Sequence, residues 1–197
     1  MIKAIILDLR GVFFTEGCSV AARKLHAEYG YDPKLIYSVV KSPKSYELRA
    51  GKISQNEFWE YAKTKLPKSY DMKIIKQARF DSYIPISGMK ELIINLRKHL
   101  PVFVFSGNEV ERVEYLENKY HFKELFDDCI FSFDAGYNKF EKEFFEYLIK
   151  RINLKPEECI YVDDVEKYIE VGKKHGFHTI LFKNVEQLKK DIERIIS

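Results

Sequence analysis

The chain has 197 residues, of which 46% are hydrophobic and 32% charged, with a formal net charge of +3. This composition excludes a disordered or low-complexity chain and supplies enough apolar side chains for a sizeable core. Lysines interleave with acids, as in Glu186-Gln187-Leu188-Lys189-Lys190-Asp191. With no one-sided basic stripe, nucleic-acid binding is not expected, and no run reaches the ~18 apolar residues needed to span a bilayer.

Residues 3–7 form a short apolar run that meets Asp8. The run has the pattern of a buried strand and is too short for a signal peptide. From about residue 15 to 84 the periodicity is helical, with no clear strand. The spacing predicts a helix over 19–28 that stops near Gly30, and a second starting at Pro33. A third opens at the capping box Ser54-Gln55-Asn56-Glu57 and carries Phe58, Trp59, Tyr61 and Ala62. A fourth covers 71–82. Phe58 and Trp59 read as the core of this segment rather than as a ligand cage. Pro85 and Gly88 then punctuate, and a helix over 89–99 leads into a strand at 102–105.

Three further strands follow at 129–132, 159–162 and 179–182. Helices over 109–120, 141–152 and 166–175 lie before or between them, and one over 185–196 closes the chain. Alternating strands and helices predict an α/β fold, a parallel five-stranded sheet with helices on both faces. Residues 1–14 and 85–197 form this three-layer core, and 15–84 form an all-helical insert. Cys18, Cys129 and Cys159 are odd in number and form no CxxC pair. Cys129 and Cys159 open apolar runs, so buried thiols and a cytoplasmic location are expected. His175 and His178 flank a glycine-containing turn and read as surface residues, not a metal pair.

In parallel α/β sheets ligands bind beyond the carboxyl ends of the strands. There stand Asp8, Ser106-Gly107-Asn108 and Asp163-Asp164, with Lys139 following a loop that holds Gly136 and Asn138. Carboxylates, a hydroxyl and a lysine on one rim suit phosphoryl transfer. Local roles compete with this reading. Asn108, three residues before Glu111, has the position of a helix N-cap. One of Asp163 and Asp164 is expected to cap the helix near Glu166, with Asp163 favoured as a ligand.

The segments Leu7-Asp8-Leu9-Arg10-Gly11-Val12, Val104-Phe105-Ser106-Gly107-Asn108, Gly136-Tyr137-Asn138-Lys139-Phe140-Glu141 and Ile160-Tyr161-Val162-Asp163-Asp164 resemble, in order, the four motifs of the haloacid dehalogenase superfamily. Ala50-Gly51-Lys52-Ile53-Ser54 followed by Glu57-Phe58-Trp59 resembles the helical cap of its phosphatase-like branch. The resemblance implies a Rossmann-like core with strand order 3-2-1-4-5 and a cap over 15–84. It implies a nucleophilic Asp8 that forms an aspartyl-phosphate, with Ser106 and Lys139 completing the catalytic set. Arg10, Ser106, Gly107, Asn108 and Lys139 would bind phosphate. A magnesium ion would be held by Asp8, the backbone carbonyl of Arg10 and Asp163, with Asp164 close by. The implied partner is a small phosphorylated metabolite, and either a monomer or a homodimer is compatible. Arg23, Tyr46 and Arg49 are candidate cap-side contacts.

Arg10 departs from the pattern, since the family's phosphatases place an acid–base aspartate there. Arginine stays protonated near neutral pH and can do neither half of that work. Losing general acid–base help typically costs a factor of ~10²–10⁴. With three aspartates, magnesium, Lys139 and Arg10 all charged, the site is net positive and favours anions. Two other placements stand open: Arg10 replaces the metal, or it faces outward and pairs with a surface acid. Phe140 and Glu141 replace the usual proline and aspartate, and Lys167-Tyr168 replaces a common asparagine or aspartate.

The expected function is a magnesium-dependent phosphatase with impaired or unusual activity, least impaired toward substrates with good leaving groups. The alternatives are a non-catalytic phosphometabolite- or partner-binding relative, and a 2-haloacid dehalogenase-type hydrolase. Dehalogenases carry tyrosine at the Arg10 position and lack the double aspartate, so Asp163-Asp164 favours phosphate chemistry.

Overall fold

The computed structural model describes all 197 residues. Five strands, β1 (Ala4–Leu7), β2 (Val102–Ser106), β3 (Asp128–Phe131), β4 (Cys159–Asp163) and β5 (His178–Leu181), form one sheet in the order β3-β2-β1-β4-β5. Every pairing is parallel. β1 is the centre, and its four residues are all buried. A strand buried on both faces has no polar side to show, which is why its sequence reads as an unbroken apolar run.

Successive side chains serve opposite faces. Ile5, Leu7, Val102, Val104, Ile160 and Val162 pack on one side, with Met89, Ile93, Val113, Leu116, Leu188 and Ile192. Ala4, Ile6, Phe105, Cys159 and Tyr161 pack on the other, with Phe144, Phe145, Leu148 and Ile169. The first layer of helices is therefore α6 (Met89–Leu96), α7 (Val110–Tyr120) and α11 (Val185–Ile196). The second is α9 (Lys142–Ile152) and α10 (Glu166–Lys174).

Polar residues complete the carboxyl ends of two strands. β2 and β4 each run one residue further than their apolar patterns suggest. Ser106 pairs with Phe131 and Asp163 with Leu181, so both polar residues belong to the sheet itself. β3 starts earlier, because Asp128 pairs with Phe103. Ser132 opens the short helix α8 (Ser132–Ala135) instead of closing the strand. Cys129 is only partly buried, whereas Cys18 and Cys159 are buried as free thiols.

Residues 15–84 form five helices rather than the four expected: α1 (Gly17–Tyr29), α2 (Pro33–Val40), α3 (Pro43–Arg49), α4 (Gln55–Lys65) and α5 (Met72–Asp81). The additional one, α3, is seven residues long, too short to show periodicity. Its signal is Ser42-Pro43, a capping serine followed by proline in the first turn; Ser42 Oγ accepts the Ser45 N–H. The capping box at Ser54 and Glu57 forms as expected. These helices bury their own apolar cluster, including Ala21, Leu25, Ile36, Phe58, Ala62 and Ile75.

The segments that leave and re-enter the sheet domain pair with each other. Thr15 N–H donates to the Ile84 carbonyl at 2.9 Å, and Ile86 N–H donates to the Phe13 carbonyl at 2.8 Å. The Thr15 hydroxyl also donates to the Ser82 carbonyl, at 2.8 Å. No helix is long and apolar enough to cross a membrane.

Candidate active site

Asp8 follows β1 directly and stands at the carboxyl edge of the sheet, 4% exposed. Its Oδ1 accepts the Leu9 N–H at 2.7 Å and lies 3.0 Å from Lys139 Nζ. The chain then turns tightly: the Phe13 and Phe14 N–H groups both reach the Leu9 carbonyl, and Gly11 sits at φ +86°. The Asp164 carboxylate lies against Gly11 where any side chain would collide with it. The glycine is thus required both by its backbone angle and by this close approach.

Lys139 Nζ also lies 2.7 Å from Asp163 Oδ2, so the ammonium bridges the ends of β1 and β4. Asp163 is fully buried. Its Oδ2 accepts in addition from the Tyr161 hydroxyl, and its Oδ1 accepts the Val165 N–H at 2.9 Å. Asp8, Asp163 and Asp164 each offer a carboxylate oxygen within 4.8 Å of the others. Burial, with repulsion from Asp163, raises the Asp8 carboxyl above its ordinary value, although Lys139 opposes this. Burial and the charges of Asp8 and Asp163 push Asp164 up to about 6. Burial disfavours the Lys139 ammonium, but Asp163 and Asp8 outweigh it and hold its pKa above the usual lysine value.

The donor set fits a small hard divalent cation. Three carboxylates converge, Asp164 Oδ1 has no partner, and the Arg10 carbonyl accepts no backbone hydrogen bond. Oxygen donors of this kind, with negative charge left uncancelled, are what magnesium takes.

A small cleft opens over this group, lined by Asp8, Arg10, Tyr46, Arg49, Gly107, Asn138, Lys139 and Tyr168. Most of the expected residues therefore converge. Arg10 lines the cleft and also pairs with Glu16, its Nη1 2.9 Å from Oε1. Inward and acid-paired placements of Arg10 are alternatives in the sequence; in the structure they coexist, because Glu16 caps α1 right beside the site. Ser106 and Asn108 are buried and do not line the cleft; Ser106 Oγ and Asn108 Nδ2 have no partner. Tyr46 and Arg49 do line it, whereas Arg23 is exposed on α1 and does not.

Two capping expectations need correction. Glu109, not Asn108, is the N-cap of α7, and no side chain caps it. Asn108 instead donates its N–H to Ser132 Oγ, at 3.0 Å, and accepts the Glu109 N–H. Likewise α10 begins after Val165 with no side-chain cap; Asp163 reaches only the Val165 N–H. In both places the loop is drawn into the sheet edge, so the polar side chain serves the loop rather than the helix.

Sequence reasoning misses three contributors. Tyr161 shares Asp163's face of β4, a period-2 relation that can be read from the chain. Tyr168 enters the sequence reading only as a departure from the family pattern, and Asn138 only as a loop residue. A buried ion cluster behind the site is missed as well. Glu109 Oε1 accepts from Arg79 Nη2 of α5 at 3.1 Å, and from Arg112 of α7, whose Nη1 donates to the Tyr83 hydroxyl at 2.6 Å. No sequence spacing announces a pair 30 residues apart.

This architecture is a five-stranded parallel sheet with clustered carboxylates and a lysine at its carboxyl edge, where α/β folds bind their ligands. The chain belongs to the haloacid dehalogenase-like hydrolases, whose family model matches residues 2–176. It is 42% identical over 153 residues to an uncharacterized protein of Dictyostelium discoideum, covering 75% of this chain and 66% of that protein's length. It is 27% identical over 158 residues to the D-ribitol-5-phosphate phosphatase of Bacteroides thetaiotaomicron, covering 77% of each. A haloacid dehalogenase family enzyme of the same bacterium, solved as an aspartate-to-alanine variant with magnesium and inorganic phosphate, superposes with a TM-score of 0.78. That structure shares 19% identity and covers 93% of this chain and 95% of its own.

Proposed function

We propose that this chain is a magnesium-dependent phosphatase acting on a small phosphate monoester through an aspartyl-phosphate on Asp8. The observation that carries the reading is the convergence of Asp8, Lys139, Asp163 and Asp164 at the ends of β1 and β4, under a small cleft. The phosphatase among its relatives supports it.

In this reading an Asp8 carboxylate oxygen attacks phosphorus, the ester P–O bond breaks, and the aspartyl-phosphate forms. Water then attacks the phosphorus, releasing phosphate and restoring the carboxylate. Magnesium would be held by Asp8, the Arg10 carbonyl and Asp163, with Asp164 beside them, and would neutralise charge between nucleophile and phosphoryl group. Lys139 adds a fixed cation, and Gly107 lines the cleft, while the unpartnered Ser106 hydroxyl and Asn108 side-chain amide lie buried behind it and would donate to phosphoryl oxygens that reach them. Residues 15–84 act as the cap that closes over the substrate. The Arg10 guanidinium occupies the position of the family's acid–base aspartate and holds its proton. The leaving group therefore departs without an acid at residue 10, which favours groups that leave readily as anions.

A second reading, phosphate binding without turnover, is favoured specifically by Arg10 lining the cleft beside Asp8. Phosphate release from a panel of small esters, with and without magnesium, separates the two. The native protein is expected to be slow and Asp8→Asn dead. Arg10→Asp by itself would face Glu16, so the informative variant is Arg10→Asp with Glu16→Gln, expected to gain at least tenfold. Retained phosphate binding with no turnover in either form would establish the binding role instead.

A further inference from the structure

The other cations around the site each have a carboxylate within salt-bridge distance. Arg10 pairs with Glu16, Lys139 bridges Asp8 and Asp163, and Arg79 and Arg112 share Glu109. Arg49 is different. It ends α3 and reaches the cleft from the helical insert, and no carboxylate lies within 4.0 Å of it. Its guanidinium makes one hydrogen bond, from Nη2 to the Val40 carbonyl at 3.1 Å, while Nε is enclosed without a partner. Its guanidinium carbon lies 5.5 Å from the centre of the Tyr46 ring, which also lines the cleft. Burial and the nearby charges of Arg10 and Arg112 depress its pKa below the ordinary arginine value. An enclosed cation without a counter-ion is costly, and a fork with free donors is geometrically suited to a planar anion.

The position of Arg49 is also fixed against the sheet domain. Its carbonyl accepts the Ser132 hydroxyl at 2.5 Å. Two residues on, Gly51 sits at φ +67°, where an added Cβ would fall 2.9 Å from the Phe133 carbonyl oxygen. The backbone that carries the guanidinium is thus held against the domain that carries Asp8, and the Val40 carbonyl anchors Nη2, which reduces the ordering left to be done on binding.

We propose that Arg49, with Tyr46 and Tyr168, forms a second-anion subsite, and that the substrate is a short phosphorylated carboxylate whose carboxyl group lies within a few atoms of the phosphoryl group. The proposal rests on the phosphatase reading for the site of the phosphoryl group. A guanidinium that lines the cleft without a carboxylate partner calls for a negative charge, and a short carbon chain keeps that charge within reach of the phosphoryl site. A polyol phosphate could hydrogen-bond Arg49 through a hydroxyl but would leave it without a counter-ion.

The test is calorimetric binding, in magnesium, of phosphonoacetate against ethylphosphonate, non-hydrolysable mimics of similar length with and without the carboxylate. The native protein is expected to bind phosphonoacetate at least tenfold more tightly. In Arg49→Met that ratio should fall to threefold or less, and Arg49→Lys should fall between. Equal affinities for the native protein would overturn the subsite while leaving the phosphoryl site intact. Binding of neither compound would overturn both the subsite and the functional reading beneath it. A preference that survives in Arg49→Met would assign it to another cation and overturn the role of Arg49.

Discussion

Lys139 shows what a single residue does here. It is a buried ammonium, 3% exposed, held between Asp8 and Asp163. Removing one partner of a buried ionic group leaves the other charges uncompensated and costs about 3–5 kcal/mol. Lys139→Met is therefore expected to lower the thermal midpoint in chelator by several degrees. Magnesium should recover more stability in the variant than in the native protein, because it cancels the same carboxylates. A scanning calorimeter reads both, and equal magnesium effects in the two proteins would argue against a shared charge role. Arg10 makes the complementary point. In the sequence its identity is plain and its consequence for acid–base chemistry follows, but its partner Glu16 is not legible. Glu16 lies outside every motif, and it meets Arg10 only because α1 begins beside the β1 turn.

At the scale of elements, the second motif is held from behind. Glu109 directly follows Ser106-Gly107-Asn108 and is fully buried between Arg79 of α5 and Arg112 of α7. Burial alone would raise its carboxyl, but the two guanidinium groups outweigh burial and hold it down at about 2. The folded pKa is depressed, so this contribution is complete above the unfolded value of about 4.3 and fades as pH falls toward the folded one. A shift of this size corresponds to something on the order of 3 kcal/mol. Urea unfolding of the native protein should show stability falling between about pH 4 and pH 2. Glu109→Gln should be less stable at neutral pH and should lose much of that slope. An unchanged slope would mean that other carboxylates carry the acid response. The short elements explain most of what escapes the sequence. α3 and α8 have seven and four residues, too few for a helical period, and their ends are set by contacts with each other across Arg49 and Ser132.

For the whole molecule, the question is how the five-helix insert stays in register with the sheet. It is tied at the neck by the pairing of Phe13 and Thr15 with Ile84 and Ile86, and across the far side by the Ser132 hydroxyl on the Arg49 carbonyl and by Gly51 against the Phe133 backbone. Gly51→Ala would strain a left-handed residue, at about 1–2 kcal/mol, and push that far contact apart. It is expected to lower urea-unfolding stability by at least that much and to weaken phosphonoacetate binding at least threefold. Normal binding in a destabilised variant would show that the far contact supports the fold and not the cleft.

The sequence by itself determined the parallel sheet, its order through family resemblance, the helical insert, and the clustering of Asp8, Lys139, Asp163 and Asp164. These follow from local rules: period-2 and period-3.6 patterns, capping residues, and the fact that strand ends of a parallel sheet share one edge. Tertiary structure alone decided that Glu16 neutralises Arg10, that Glu109 gathers two arginines, and that Arg49 is left without an acid. Charge pairing depends on distances of a few ångströms between residues far apart in the chain, and no periodicity records which cation will find a partner.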